Sequence, residues 1–420
     1  MSPIGVDVDT FCANLASGKS GISTTTLFPG FAAPDQVGGQ VKEFTDEAAR
    51  KVFLKDHRKN LKAMCREIQL GVASAMQALQ NSKLDLNSIN HERLGVEFGA
   101  NLMLSAPDIL APACDVSLDP QTHQIDLPAW GHNGLPRMEP LWLLRYLPNM
   151  PACHISIASD ARGPSNSLTL DDASGNTVLG EAQRILQRGA ADIMITGCTG
   201  TTLHPIKTMH LALYHELATT PEEPARRCRP FDQDASGRVV AEGACTFILE
   251  TRSHAEGRGA PILGRVLGTG GGVVTTRDGE PLFREALVRA MQAALRSANI
   301  SVEDIGHINA HGLGIKAVDQ AEALAIHDVF GPDLGRKIPV TALKGYFGNS
   351  GAGSGTLELA ASLLSLRNGV IPMTLNYEHG NPYCPLNVVH GQPLKTSNKV
   401  VLNLNVTRIG QATAAIVEVC

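Results

Sequence analysis

The residues able to do chemistry lie in separate stretches, and the most informative runs from Arg162 to Gly189, RGPSNSLTLDDASGNTVLGEAQRILQRG. An extended polar segment enters the turn Asp171-Asp172-Ala173-Ser174-Gly175. An apolar repeat at helical spacing follows (Val178, Leu179, Ala182, Ile185, Leu186), and Gly189 closes it. A strand that turns sharply into a buried helix presents one side chain at the positive end of the helix dipole. That position suits an activated nucleophile or an anion. Here it holds Asp172, a weak nucleophile. As a residue at a helix N-terminus an aspartate stabilises by about 0.5–2 kcal/mol; acid–base work on a bound substrate is its alternative use.

Further stretches add complementary groups. Arg229-Pro230-Phe231-Asp232-Gln233-Asp234 leads through Gly237 to Glu242-Gly243-Ala244 and reads as a structural corner near a pocket. Asn309-Ala310-His311-Gly312-Leu313-Gly314, with Asp319 and Glu322 following, supplies an imidazole and two carboxylates. Lys344-Gly345-Tyr346-Phe347-Gly348-Asn349 supplies an amine, which needs a carboxylate partner if buried, and an amide that hydrogen-bonds but cannot act as a base. No metal site is expected of Asp171, Asp172 and His311, which lack a spaced His pair or a convergent carboxylate set. Gly268-Thr269-Gly270-Gly271-Gly272 fails the G-x-G-x-x-G spacing, so no nucleotide and no other cofactor is expected.

The elements that must hold these groups follow from composition and periodicity. The chain has 420 residues, 43% hydrophobic and 18% charged, with a formal net charge of −5. That length suits two layered units, and the charge gives no nucleic-acid surface. No apolar run approaches the ~20 residues of a spanning helix. The start lacks the regions of a signal peptide, and nine scattered cysteines without a Cys-x-x-Cys pair suit a reducing compartment, so a cytoplasmic location is expected. Only 4% of residues are aromatic, and Gly numbers 41, which points to close α/β layering.

Helices are predicted over Arg58–Gln80, from the turn at Asp172 to Gly189, and over His204–Ala218, Leu282–Ala298, Ala317–Phe330 and Thr356–Arg367. Strands are predicted at Gly95–Ala100, Ala152–Ala158, Ala191–Gly197, Ala244–Glu250, Ile262–Gly268, His307–Ala310, Ile338–Leu343, Val400–Asn405 and Ala414–Val419. Residues 101–151, rich in Pro, Asp and His, read as a cap or dimer-contact excursion. The two runs of alternating strand and helix suggest similar halves, 1–252 and 253–420.

Together these motifs resemble the β-ketoacyl synthase family of the thiolase fold. The Arg229–Ala244 stretch follows R-P-F-D-x-D-x-x-G-x-x-x-x-E-G-A. Asn309–Gly314 is similar to A-H-G-T-G-T with its D-x-x-E tail, although Leu313 and Ile315 replace both Thr. Lys344–Asn349 falls on K-S-x-x-G-H, and SPIG and LASGKSGI fit the family's opening. The resemblance implies an α/β fold in five layers, α-β-α-β-α, usually dimeric, acting on chains carried by acyl carrier protein. In active members a Cys at the helix N-terminus takes the acyl group and two His assist decarboxylation and stabilise the enolate. Against that pattern the Cys position is Asp172 and the second His position is Asn349, while His311, Lys344, Asp319 and Glu322 are kept. The F-G-F-G-G-T-N loop, which supplies a gate and an oxyanion-hole amide, falls on Thr407–Thr413 and keeps only Gly410, leaving the backbone amide of Ile409 as its donor.

A carboxylate would have to form a mixed anhydride with a thioester, and losing a covalent nucleophile costs several orders of magnitude in rate. The resemblance therefore implies a protein unable to elongate, binding acyl thioesters or carrier protein and shaping a pocket as a chain-length-factor partner of an active synthase, in a homodimer or heterodimer. The alternative is a Cys-independent acyltransferase, decarboxylase or thioester hydrolase using His311, Lys344 and Asp172. The basic residues Lys55, Arg58, Lys59, Lys62 and Arg66 read first as a solvated helix face and second as a dock for an acidic carrier. The family carries a strand before SPIG, so the start is expected to lie upstream of Met1.

Overall fold

The computed structural model describes residues 1–28 and 32–420. Two sheets carry the architecture. The first orders β2-β1-β3-β4, from β1 (Leu94–Ala100), β2 (Ser165–Leu168), β3 (Ile193–Thr201) and β4 (Glu242–Glu250). β1 pairs in parallel with β2 and β3, and β4 runs antiparallel to β3. The second orders β8-β7-β6-β9-β10-β5, from β5 (Gly264–Val273), β6 (His307–Asn309), β7 (Pro339–Thr341), β8 (Asn387–Val388), β9 (Val400–Val406) and β10 (Gln411–Val419). There β9 pairs in parallel with β6 and antiparallel with β10. Each sheet thus sets a parallel core beside an antiparallel strand.

Helices fill the layers between and outside the sheets. α1 (Val8–Ala16) opens the chain, and α2 (Arg66–Asn81) and α3 (Met150–Ser159) cover the outer face of the first sheet. α4 (Ser174–Gln187) packs on both sheets; α5 (Pro205–Leu213) lies at the surface. α6 (Phe283–Ala298) and α7 (Lys316–Gly335) cover the far side of the second sheet, and α8 (Ala352–Arg367) shares the middle layer with α4. The middle pair approaches closely at its N-terminal ends: a Cβ on Gly175 would lie 2.9 Å from Thr356 N and 3.0 Å from Gly355 Cα. The apolar face predicted for α4 is buried, each large side chain contributing about 1.5–3 kcal/mol.

Several expectations need correction. Ala152–Ala158 is not a strand but lies in α3, with Ala152, Ile155 and Ser159 buried at helical spacing and Ile157 67% exposed. A short apolar run carries too little periodicity to separate the two, and Pro151 starts the helix. The helix predicted from Arg58 begins at Arg66, because residues 49–63 form tight π and 3₁₀ turns. Arg66 leaves the basic face: it binds Glu242 at 2.7 Å and Phe44 O at 2.5 Å. Lys55, Arg58, Lys59 and Lys62 stay exposed. The Gly268–Gly272 run is strand β5 laid on α6, where a Cβ at Gly270 would meet Ala290 O at 2.3 Å.

Candidate functional site

The turn Asp171–Ala173 delivers Asp172 to the N-terminus of α4, 2% exposed. The loop ahead of α8 delivers Asn349, held by its backbone along the segment that leads into β4: Asn349 N–H donates to Val239 O at 2.8 Å and Ala241 N–H to Asn349 O at 2.9 Å. The two side chains meet. Asn349 Nδ2 donates to Asp172 Oδ1 at 2.8 Å, and Asn349 Oδ1 accepts from Gly351 N–H at 3.0 Å.

Asp171 adopts φ 48 and stays exposed although protein crowds it. That crowding, and then the Asp172 carboxylate, push its pKa up to about 6.

His311 is fully buried at the end of β6. Glu322 accepts from His311 N–H (2.7 Å) and Gly312 N–H (2.9 Å), while Asp319 accepts from the N–H groups of Leu313, Gly314 and Phe231. Burial lifts Asp319 to about 6 and Glu322 to about 7 against these backbone donors. Their role is to shape the loop that carries the imidazole. Lys344 Nζ lies 3.2 Å from His311 Nδ1, donates to His311 O at 2.5 Å and pairs with Glu358 at 2.6 Å. An ammonium only donates, so Nδ1 accepts and the imidazole proton sits on Nε2. Burial, then Lys344 and Arg238, hold His311 well below the ordinary histidine pKa, so the ring is neutral. Its Nε2 has no partner among the described residues. The arrangement offers a neutral N–H donor, suited to polarising a carbonyl.

Of the remaining predicted residues, Ile409 stands 65% exposed at the β9–β10 turn and Gly410 takes φ 77. Arg408 holds this turn instead, its guanidinium 3.7 Å from the Tyr214 ring centroid and 3.2 Å from Glu216. Arg229 is 2% exposed and pairs with Glu222, Asp232 and Glu378, which makes its motif the corner expected from sequence. Asp232, Asp234 and His379 approach one another there, but Asp232 already accepts from Arg229 and from the N–H groups of Asp234, Glu378 and His379.

Sequence reasoning missed Glu358, Arg238, Glu216 and the buried amides Asn176, Asn403 and Asn405. A glutamate inside the apolar run GTLELAASLL was the available signal for Glu358. It joins Lys344 to Asn405 Nδ2, 2.9 Å away, and Asn405 Oδ1 accepts from Asn176 at 3.0 Å.

Residues 1–255 match the family model "Beta-ketoacyl synthase, N-terminal domain", and residues 273–378 match "Beta-ketoacyl synthase, C-terminal domain". The chain belongs to the β-ketoacyl synthase family. A 3-oxoacyl-[acyl-carrier-protein] synthase 2 of Synechocystis sp. is 30% identical over 397 residues, covering 93% of this chain and 89% of the relative. One of Coxiella burnetii is 30% identical over 394 residues, with the same coverage. The solved "ishigamide ketosynthase/chain length factor" superposes with a TM-score of 0.85 at 26% identity, over 99% of this chain and 96% of that one. A β-ketoacyl synthase of Burkholderia phymatum, 22% identical, shares the fold with a TM-score of 0.83, over 100% of this chain and 97% of that one. The thiolase-like α/β architecture expected from the motifs is thus the one observed. Among the described residues no helix is long and apolar enough to cross a membrane.

Proposed function

We propose that this chain is an elongation-incompetent ketosynthase-family protein of fatty-acid or polyketide synthesis, which binds acyl chains on a carrier protein and partners an active synthase in the cytoplasm. The observation that carries this is the hydrogen bond from Asn349 to Asp172. The positions that hold a thiol and a base in active members here hold an amide and a carboxylate that satisfy each other. A thioester entering this site meets no competent nucleophile. The likeness to the solved ishigamide ketosynthase/chain length factor supports the same reading. The exposed Leu127, Leu135, Leu141 and Leu143 of the 101–151 excursion offer a face for a partner subunit. Lys55, Arg58, Lys59 and Lys62 offer positive charge to an acidic carrier. The halves 1–252 and 253–420 act as one unit in this reading, because Asp172 comes from the first and His311, Lys344 and Asn349 from the second. Co-purification with the ketosynthases and carriers of its own genome tests it. Recovery of a homodimer that ignores all of them sinks the partner assignment.

One observation favours a second reading. His311 Nε2 has no acceptor among the described residues, so Cys-independent acyl transfer, decarboxylation or hydrolysis with His311, Lys344 and Asp172 is its chemistry. Incubation with malonyl- and acyl-loaded carrier, read by intact mass, decides; no turnover above a His311→Ala control excludes it.

A further inference from the structure

Glu97 lies 1% exposed in the middle of β1, and its Oε2 has no donor among the described residues. A buried acceptor left open is an exception that asks for an explanation. Val96 and Phe98 on either side join the apolar cluster of α2 and α3, so Glu97 points to the opposite face, under α4. There Asn166 Nδ2 donates to Glu97 Oε1 at 3.3 Å, which turns the carboxylate toward β2. The two residues are direct partners in the parallel pair. Burial, then Glu181, push the Glu97 carboxyl up to about 7, against the pull of Asn166 and Arg184. Arg184 is no full partner, because it is 55% exposed and already binds Glu181 on α4.

The strand that flanks Glu97 is the rim of its sheet. β2 pairs with β1 on one side and with no described residue on the other, and Ser165 and Asn166 are exposed. An open edge accepts a further strand through main-chain hydrogen bonds. A strand added there lies two strand spacings from β1, about 10 Å. The combined reach of a glutamate and an arginine or lysine spans that gap, and shorter donors do not. A second copy of this chain brings Ser165, Asn166, Ser167 and Leu168 to the edge, with no cation among them. It also adds a second pair of Glu97 and Glu181 carboxylates. Such a pairing leaves the buried carboxylate unmatched, whereas a strand that carries a cation completes it.

We infer that the open edge of β2 seats a strand of a different subunit, whose arginine or lysine reaches Glu97, and that Glu97 thereby favours the mixed pair over the homodimer. The inference rests on the reading of this chain as the partner of an active synthase, and it names the contact that chooses that partner.

Analytical ultracentrifugation of the full chain, alone and mixed with each ketosynthase of its own genome, tests it. Glu97→Gln is expected to tighten self-association at least about tenfold and to loosen the mixed complex at least about tenfold. Asn166→Lys supplies a cation from within the chain and is expected to loosen the mixed complex by a similar factor. On the unaltered protein, self-association should tighten about threefold or more between pH 8 and pH 6, as Glu97 takes up its proton. The groups around it are Asn166 on β2, Glu181 and Arg184 on α4 and the Cys198 thiol on β3. Glu97→Gln leaves all of these in place and should abolish the pH response. A mixed complex of unchanged affinity in both variants, or self-association indifferent to Glu97→Gln, overturns the inference while leaving the partner reading standing. Failure of the unaltered chain to bind any synthase overturns the partner reading itself, and the inference with it.

Discussion

Asn349 donates to Asp172 across 2.8 Å, and this hydrogen bond ties the turn ahead of α4 to the loop ahead of α8. Each residue is buried, and each answers the need the other creates. An aspartate there requires a donor, and an amide supplies it without becoming a base. Replacing either alone leaves an unmatched polar group in a closed site, at a cost of about 1–3 kcal/mol.

Placing the thiol and imidazole of active members here therefore takes both positions. Asp172→Cys alone is expected to acylate slowly with acyl-carrier or acyl-pantetheine thioesters, seen as a mass adduct at residue 172. Adding Asn349→His should raise carbon–carbon bond formation by about 10²-fold or more over the single variant, the usual scale for a positioned acid–base group. Absence of any adduct in both variants would show that the pocket no longer admits a thioester.

Lys344 is expected to matter to folding as much as to chemistry. It is fully buried against Glu358 at 2.6 Å, so Lys344→Met strands a carboxylate and should cost about 3–5 kcal/mol in chemical denaturation. Lys344→Met with Glu358→Gln removes both charges and should recover most of that loss. Equal damage in the single and double variants would mean that shape, not charge, is what the site requires.

How much of this was legible in the sequence depended on the residue. Helix α4 was readable because its apolar spacing is regular, but Asp172 caps no backbone N–H there and accepts from Asn349 instead, a partner 177 positions away. Helix α3 was not, because its short apolar run satisfies strand and helix alike and only packing against α2 and β1 decides. Arg66 looked like part of a basic face, but Glu242, 176 positions away, draws it inward. Glu358, Arg238 and Asn405 gain their meaning from partners on other elements, which no local spacing reveals.

The pH response of the site follows from Asp171. Its folded pKa of about 6 exceeds the ordinary value of 3.8, so the folded state holds the proton more tightly than the unfolded chain. Stability is expected to fall as pH rises through this window and to have lost the full increment above it. Asp171→Asn, which tolerates the same left-handed backbone, should match the unaltered protein near pH 4. Near pH 8 it should be more stable by about 1 kcal/mol, a figure reduced for solvent screening at this exposed group. Thermal melts across that range check it, and an equal difference at both ends contradicts the assignment.

The β9–β10 turn should be quiet. Arg408 binds both the Tyr214 ring and Glu216, so Arg408→Gly is expected to speed amide exchange over residues 407–411 by about tenfold, with little change elsewhere. Unchanged exchange would show that the turn is held by its own hairpin.

The buried chain Lys344–Glu358–Asn405–Asn176 also bears on the history of the protein. Every member serves two neighbours, so no single step can delete one without exposing another. Asp172 and Asn349 share no hydrogen bond with that chain among the described residues, and their side chains bond to each other. A lineage released from catalysis would shed its nucleophile and base early, and would carry the lysine and its glutamate long after their chemistry had ceased to be selected.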